Sequence, residues 1–163
     1  KYVNADLEAD KNAPAFQTFG DKTLVHIATF ETAAADDDAS VFRIIKNAPA
    51  DLIPVSMVVF CDTLTGSTDW DIGLYKPTIN GVAGAVIDVD KFTNTIDLAT
   101  AITRANAEDC LQGLDPSEVL EPLYTLAGET IDDHAQGYDI AFTANTIGSG
   151  VGTISVITHF VQS

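Results

Sequence analysis

The carboxyl-terminal residues 138–163 place the strongest constraint on the fold, because apolar and polar side chains alternate along two segments of this stretch. One row of the first segment holds Tyr138, Ile140, Phe142 and Ala144, and the same period continues in the second segment through Ile154, Val156, Thr158 and Phe160. A period of two is typical of β-strands. Glycines are concentrated between the segments, at 148–152. These residues predict a half-buried antiparallel pair of strands joined by a corner, and with it an all-β fold.

Similar alternation recurs at short intervals along the rest of the chain. We predict strands at residues 23–32, 40–46, 55–61 and 68–75, with weaker candidates at 85–89 and 95–100. Both rows of 23–32 are fairly apolar, which predicts a central strand or one covered on both faces. Asn80-Gly81 predicts a tight turn, because both residues tolerate positive φ.

One short helix is predicted before the last two strands. Pro122 would interrupt a helix that began at Asp115 or Ser117, so we expect either two short turns or a helix that begins at residues 121–122. Gly128 supplies the left-handed stop. Leu123, Tyr124, Leu126 and Ala127 would then face the sandwich.

About eight strands in one chain predict a two-sheet antiparallel sandwich of jelly-roll type. With 163 residues that are 46% hydrophobic, the chain can form one domain with a substantial core, which we assign to residues 21–163. Residues 1–20 have little periodicity and predict an extended amino-terminal arm. The arm is either a frayed terminus or a strap that docks on a neighbouring subunit through its apolar residues, here Tyr2, Val3, Phe16 and Phe19.

The charge balance argues against several partners. The net charge is −16, and no basic residue follows Arg104. Phosphate binding depends on Lys and Arg, so we predict no nucleic-acid ligand and no binding to an anionic membrane surface. No segment approaches the roughly 18–20 continuous apolar residues of a membrane-spanning helix.

Candidates for catalysis are few. His26 and His159 lie in strand alternation, where a surface or rim imidazole is the default, and no nucleophile elbow, phosphate loop or zinc-protease motif occurs. Cys61 and Cys110 lack metal-ligand spacing, and both are predicted to be reduced. The acidic clusters lack the spacing of known calcium loops. We therefore predict a protein that is not an enzyme, with no catalytic residue, cofactor, metal or small-molecule substrate.

Three stretches resemble one protein family. They are Glu-Pro-Leu-Tyr-Thr-Leu-Ala-Gly at 121–128, Tyr-Asp-Ile-Ala-Phe-Thr at 138–143 and Gly-Ser-Gly-Val-Gly-Thr-Ile-Ser-Val at 148–156. In this order they resemble the jelly-roll capsid decoration proteins of tailed bacteriophages, and the likeness extends in outline over most of the domain. The chain departs from that family in having Tyr124 where a tryptophan is common, and residues 84–114 match no pattern of the family.

The resemblance implies a virion structural protein. Its expected role is that of a capsid decoration, or cementing, protein on the outer surface of the phage head, made in the host cytoplasm. Its expected partners are the major capsid protein and copies of itself, as a trimer. Two alternatives stay open, another virion component such as a head fibre base or tail-associated module, and a carbohydrate-binding β-sandwich module. The carbohydrate alternative is weakened because Trp70, the one tryptophan, is predicted to face inward.

Overall fold

The computed structural model describes residues 23–34, 36–107, 109–130 and 137–162. The predicted arm, with Tyr2, Val3, Phe16 and Phe19, lies outside the described residues. The docking role of the arm therefore stays a prediction.

The described chain is an all-β sandwich, as predicted. Its elements are β1 (Thr23–Thr32), β2 (Val41–Pro49), β3 (Leu52–Cys61), β4 (Asp69–Tyr75), β5 (Val86–Ile96), α1 (Leu123–Leu126), β6 (Gly137–Thr146) and β7 (Gly152–Gln162). One sheet has three strands in the order β1-β7-β3, and the other has four in the order β2-β6-β4-β5. The two weak strand candidates at 85–89 and 95–100 become the single strand β5, which ends at Ile96.

The pairing pattern is that of a jelly roll. The outermost strands β1 and β7 pair, β2 pairs with β6 inside them, and β4 pairs with β5 at the centre of the nest. The remaining partner of β3 is a non-strand segment, which forms single bridges from Asp109 to Val58 and from Ile102 to Cys61. All these pairs are antiparallel. The bridged segment stands where an eighth strand would lie, which explains why the described residues form seven strands against the expected eight.

Strands β6 and β7 do not pair with each other, so the predicted carboxyl-terminal pair is wrong. Strand β6 lies between β2 and β4, whereas β7 lies between β1 and β3 in the other sheet. Strand β6 is also buried on both faces through most of its length instead of being half-buried. The glycine-rich corner thus carries the chain from one sheet to the other.

Strand β1 is at the edge of its sheet, so its predicted central or doubly covered position is also wrong. It pairs only with β7, and its outward side chains Val25 and Ile27 are 55% and 67% exposed. The second apolar row of β1 therefore faces solvent in the isolated chain.

The core lies between the two sheets and includes an aromatic cluster. Phe30 stacks on Phe42 with ring centroids 4.9 Å apart, and Phe42 in turn lies 5.6 Å from Trp70. Trp70 is fully buried, as predicted, and its indole N–H donates to Ser67 Oγ at 2.7 Å. The two sheets are therefore joined by aromatic contacts across the sandwich.

Helix α1 is one short turn that begins after Pro122, in agreement with one of the two predicted forms. Leu123 and Leu126 are buried against the sandwich, and Gly128 ends the turn with a φ of +70°.

Candidate functional site

Charged side chains are distributed unequally between the two sheets. The three strands β1, β3 and β7 contain one acidic residue, Glu31, and no lysine or arginine. The chain as a whole has 24 acidic and eight basic residues. The strands of the four-stranded sheet carry the acidic and basic side chains Arg43, Lys46, Asp69, Asp71, Asp88, Asp90, Lys91 and Asp139. The acidity that argues against a nucleic-acid partner is therefore almost absent from the three-stranded sheet.

The outer surface of the three-stranded sheet consists mainly of aliphatic, aromatic and hydroxyl side chains, with His159 among them and with Glu31 at one end of the outward row of β1. In its central row Ile27 lies opposite Ile157, which lies opposite Val58. We call this surface the uncharged face and define it by the outward side chains Val25, Ile27, Thr29, Ser56, Val58, Phe60, Ser155, Ile157 and His159.

The uncharged face has the chemistry of a protein contact surface. Val25 and Ile27, its two aliphatic members on the edge strand β1, are both more than half exposed. Thr29 and Ser155 share a hydrogen bond of 2.9 Å across the strands, which satisfies both hydroxyls on the surface. A contiguous apolar patch on a soluble domain is typical of an interaction site, and an edge strand also offers unpaired backbone groups. We therefore treat this face as the candidate functional site.

Two histidines frame the edge of this sheet. His159 lies on the uncharged face opposite Val25, and His26 lies on the inner side of β1. Both are half-buried, and neither Nδ1 atom makes a hydrogen bond to the described residues. The predicted rim position fits both residues.

A groove runs between the two edge strands β1 and β2 beside His26. It has a volume of about 390 Å³ and is lined mainly by apolar side chains, among them Ala28, Phe30, Phe42 and Ile44. The groove lies beneath the edge of the uncharged face, because its β1 residues include Ile27. It adds apolar surface to the side of the molecule where β1 is unpaired.

No metal centre is present among the described residues, where no group of three or more potential ligands converges. The acidic pair Asp69 and Asp71 is instead used structurally. Asn145 Nδ2 donates to Asp71 at 2.7 Å and to Asp69 at 3.3 Å, and the Thr95 amide donates to Asp71 at 3.1 Å.

In the part of the chain that the structure describes, neither a carbohydrate-binding platform nor a membrane-spanning helix is found. No aromatic side chain there is more than partly exposed, Phe60 of the uncharged face included, so these residues show no platform of fully exposed rings for a sugar. None of its helices is long and apolar enough to cross a membrane. The exposed apolar surface is aliphatic, and this chemistry suits a protein partner.

The opposite layer of the sandwich contains a buried ion pair that sequence reasoning missed. The carboxylate of Asp139 is fully buried on the outer side of β6 and accepts hydrogen bonds from Arg43 Nη1 at 2.7 Å and from the Asn47 amide at 2.7 Å. Thr78 donates to the same carboxylate through its hydroxyl, at 2.6 Å, and through its amide, at 3.0 Å. Burial alone would raise the pKa of Asp139, but the hydrogen bonds from Thr78, Asn47 and Arg43 together hold it below its usual range.

The alternation along β6 puts Asp139 in the row opposite Ile140 and Phe142, on the outer face of the sheet, where a carboxylate contacts solvent unless another segment covers it. A covering segment, residues 76–85, removes this carboxylate from water. One signal was available, because the outer row of β6 continues with the small residues Ala141 and Thr143, which leave room for a segment above the sheet.

A second polar cluster fixes the same covering segment at its start. Lys76 forms an ion pair with Glu129, which also accepts a hydrogen bond of 2.8 Å from the Tyr138 hydroxyl. The hydrogen bond from Lys76, with that from Tyr138, lowers the pKa of Glu129. Burial, together with the neighbouring Glu129 carboxylate, raises the pKa of Tyr138. The covering segment is thus tied both to β6 and to the residues that follow α1.

Comparison with solved structures identifies the class of fold. A chain of the cyanophage Pam1 capsid asymmetric unit matches with a TM-score of 0.54 at 15% sequence identity, over 96% of this chain and 96% of that chain. A chain of the capsid of Ralstonia phage GP4 matches with a TM-score of 0.57 at 15% identity, over 92% of this chain and 90% of that chain. The protein therefore has a capsid-type jelly-roll fold. No protein-family model matches the sequence, and no curated protein matches it.

Proposed function

We propose that this protein is a structural component of a bacteriophage virion, a capsid decoration protein that binds the outer surface of the head. The observation that supports this most is the likeness of fold along almost the whole length of two chains that belong to phage capsids. The matches cover at least nine tenths of both partners, so the likeness extends to whole chains of similar size. The protein in this proposal is a separate chain of the virion, and its partner is the major capsid protein.

The uncharged face supplies the contact in this proposal. A surface of Val, Ile, Thr and Ser side chains associates by burial of apolar area and needs no reactive centre. The exposed acidic side chains elsewhere on the molecule stay in water, where they keep copies soluble and apart at long range. Each contact can be weak, because a decoration protein that engages several capsid subunits, or that acts as a trimer, gains affinity from effective concentration.

The arm extends this contact surface. Residues 1–20 precede β1, whose exposed row belongs to the uncharged face. In this proposal Tyr2, Val3, Phe16 and Phe19 would add apolar contact area to that of the face. The arm and the face together would cement neighbouring major capsid subunits against the pressure of packaged DNA.

The test of the face is a pair of charge insertions. In the full chain, Val25→Glu combined with Ile27→Glu places two carboxylates on exposed positions of β1, so the fold is retained while the apolar contact is lost. We expect at least about a tenfold loss of affinity for heads that lack the protein, measured by co-sedimentation.

The matched control is Val151→Glu, because Val151 is 58% exposed and lies in the corner before β7, off the face. Equal binding by the face variant and the wild type would exclude the uncharged face as the contact.

The test of the arm is deletion of residues 1–20. If the arm docks on the shell, the truncated chain occupies fewer sites on the head at a given concentration, as counted by electron microscopy. Full occupancy by the truncated chain would refute the role of Tyr2, Val3, Phe16 and Phe19.

A further inference from the structure

Residues 76–85 form a hairpin whose tip is closed by one bridge pair, Ile79 and Val82. Ile79 and Val82 exchange two backbone hydrogen bonds, of 3.0 and 2.9 Å, around the turn residues Asn80 and Gly81. These turn residues have φ angles of +51° and +78°, as expected of a type I′ turn, so the tight turn that the sequence predicted is confirmed. Lys76 closes the base of the hairpin through its amide, which donates to the Ala85 carbonyl at 2.8 Å.

The base of the hairpin is held by the buried ion pair. Arg43 Nη1 donates to the Lys76 carbonyl at 3.2 Å, and Arg43 Nη2 donates to the Gly84 carbonyl at 2.6 Å. Thr78, on the outgoing strand, donates its amide and hydroxyl to Asp139. Both sides of the hairpin are therefore fixed to β2 and β6, so its position on the sandwich is defined before any partner binds.

The tip that this network holds is apolar and exposed. Ile79 is 63% exposed and Val82 is 71% exposed, and residues 77–87 contain no charged side chain. A buried ion pair is weak evidence of stability, because replacing such a pair by apolar residues is often neutral or stabilising. Here the pair fixes a segment whose own apolar side chains are left in water. Preorganisation of this kind lowers the entropy cost of binding a partner.

The tip and the uncharged face belong to opposite sides of the sandwich. The Arg43 and Asp139 side chains alternate with Phe42 and Phe142, which pack in the core, so the ion pair lies on the outer side of the four-stranded sheet. The uncharged face is the outer side of the other sheet. The base of the hairpin and the uncharged face therefore lie on opposite sides of the sandwich.

We propose that the hairpin tip is a second docking element, which inserts Ile79 and Val82 into an apolar cleft of a second shell subunit. This inference rests on the proposed function and deepens it, because a molecule with contact surfaces on two opposite sides can hold two subunits at once. The partner surface that receives the tip is an uncharged aliphatic cleft, because the tip itself has no charge with which to recognise an acidic or basic site. A second copy of this chain is disfavoured as occupant by the repulsion between two molecules of net charge −16.

The experiment compares the full chain with a variant that carries Ile79→Thr and Val82→Thr. Both changes keep the β-branched shape and the backbone hydrogen bonds of the hairpin while they remove apolar contact area. Each protein is titrated onto heads that lack the decoration protein, and bound protein is measured by co-sedimentation. We expect the variant to bind about tenfold or more weakly, because loss of one of two contacts removes the gain from bivalency. The matched control is Val119→Thr, because Val119 is 56% exposed and lies outside the hairpin.

The outcomes separate the two proposals. If the wild type does not bind heads, the proposed function fails. If the wild type binds and the tip variant binds equally well, only this inference is overturned. It is also overturned if sedimentation of the free protein shows a self-association that the tip variant loses, because the occupant would then be a second copy. The near-UV signal of Trp70 verifies folding, and if the double variant loses that signal, the two single variants are judged by the same binding criterion.

Discussion

At the scale of single residues, Asp139 illustrates why a buried charge is retained. Its carboxylate is fully buried, and it is tolerated because donors from β2 and from the hairpin satisfy both oxygens. Those donors belong to segments that are far apart in sequence, so the carboxylate joins them. The physical role of Asp139 is to define where the covering hairpin sits.

Replacing this carboxylate should be costly. In Asp139→Asn, Arg43 stays largely buried without a counter-charge, and we expect the free energy of unfolding to fall by about 3 kcal/mol. Urea denaturation followed by Trp70 fluorescence measures the change. Glu31→Gln serves as the control, since Glu31 is exposed on β1, and should shift stability by less than about 0.5 kcal/mol. Equal effects of the two changes would contradict a structural role for the ion pair.

The same carboxylate should give stability a defined dependence on pH. The pKa of Asp139 in the folded protein is lowered from its ordinary value of 3.8. The contribution of its carboxylate to folding stability is therefore fully present above pH 3.8, and it is lost as the pH falls from there through the pKa of the folded state. The pKa of Glu129 is also lowered, so its contribution to stability is likewise lost on acidification. The pKa of Asp88 is instead raised by burial and by Asp90, so protonation of Asp88 stabilises the folded protein as the pH falls. The difference in stability between wild type and Asp139→Asn isolates Asp139. It should shrink as the pH falls below 4, because protonated Asp resembles Asn, and a constant difference would be contrary evidence.

At the scale of elements, the hairpin at residues 76–85 depends on two glycines for different reasons. A Cβ on Gly84 would lie 2.2 Å from the Lys76 carbonyl oxygen, so the hairpin base would have to open. A Cβ on Gly81 would meet nothing within 4 Å, and its cost arises only from the φ of +78°. The base and the tip of this element should therefore respond differently to the same substitution.

We expect Gly84→Ala to be more destabilising than Gly81→Ala. Gly81→Ala should cost about 1–2 kcal/mol, the usual penalty for a non-glycine residue in the left-handed region. Gly84→Ala should exceed this value and should also increase amide hydrogen exchange at Thr78, because opening of the base breaks its bond to Asp139. Thermal unfolding and exchange rates measure the two effects. The reverse order of stabilities would show that the hairpin base is not closely packed.

At the scale of the whole molecule, acidic charge and apolar contact surface are segregated. Within the described residues, the uncharged face as defined above and the hairpin tip have no lysine, arginine or acidic side chain, while the chain as a whole has a net charge of −16. Such a molecule is held at a contact by apolar area, and neighbouring copies repel through their acidic surfaces. Attraction and repulsion therefore respond differently to salt.

Binding to heads should consequently strengthen as salt is added. Between 0.01 and 0.15 M ionic strength the screening length falls from about 30 Å to about 8 Å, which weakens repulsion between adjacent bound copies and leaves apolar contacts intact. Occupancy at a given protein concentration, measured by co-sedimentation, should rise across this range. A fall in occupancy would indicate that attraction to a basic surface dominates.

The sequence by itself determined most local features of this protein. The period of two located β1 at residues 23–32, the boundaries in the structure, and it placed Trp70 in the core. Asn80-Gly81 and Gly128 determined where the chain turns and where the helix ends, because these residues tolerate positive φ. Such features depend on neighbours along the chain, and for that reason the sequence is sufficient to predict them.

Tertiary structure alone decided which strands are partners and which outer rows are covered. Alternation shows which side chains share a face, but β6 and β7 occupy different sheets because each pairs with strands far away in sequence. For the same reason the outer rows of β6 and β1 had outcomes opposite to their polarity, since the row that contains Asp139 is buried and the aliphatic row of Val25 and Ile27 is exposed. In the outer row of β6, Asp139 is held by Thr78 of the hairpin and Thr143 is hydrogen-bonded to Tyr75, whereas the outer row of β1 lies at an edge and remains exposed. Burial of a row depends on contacts that the chain makes only after it has folded, so no local pattern can distinguish the buried Asp139 from an exposed carboxylate.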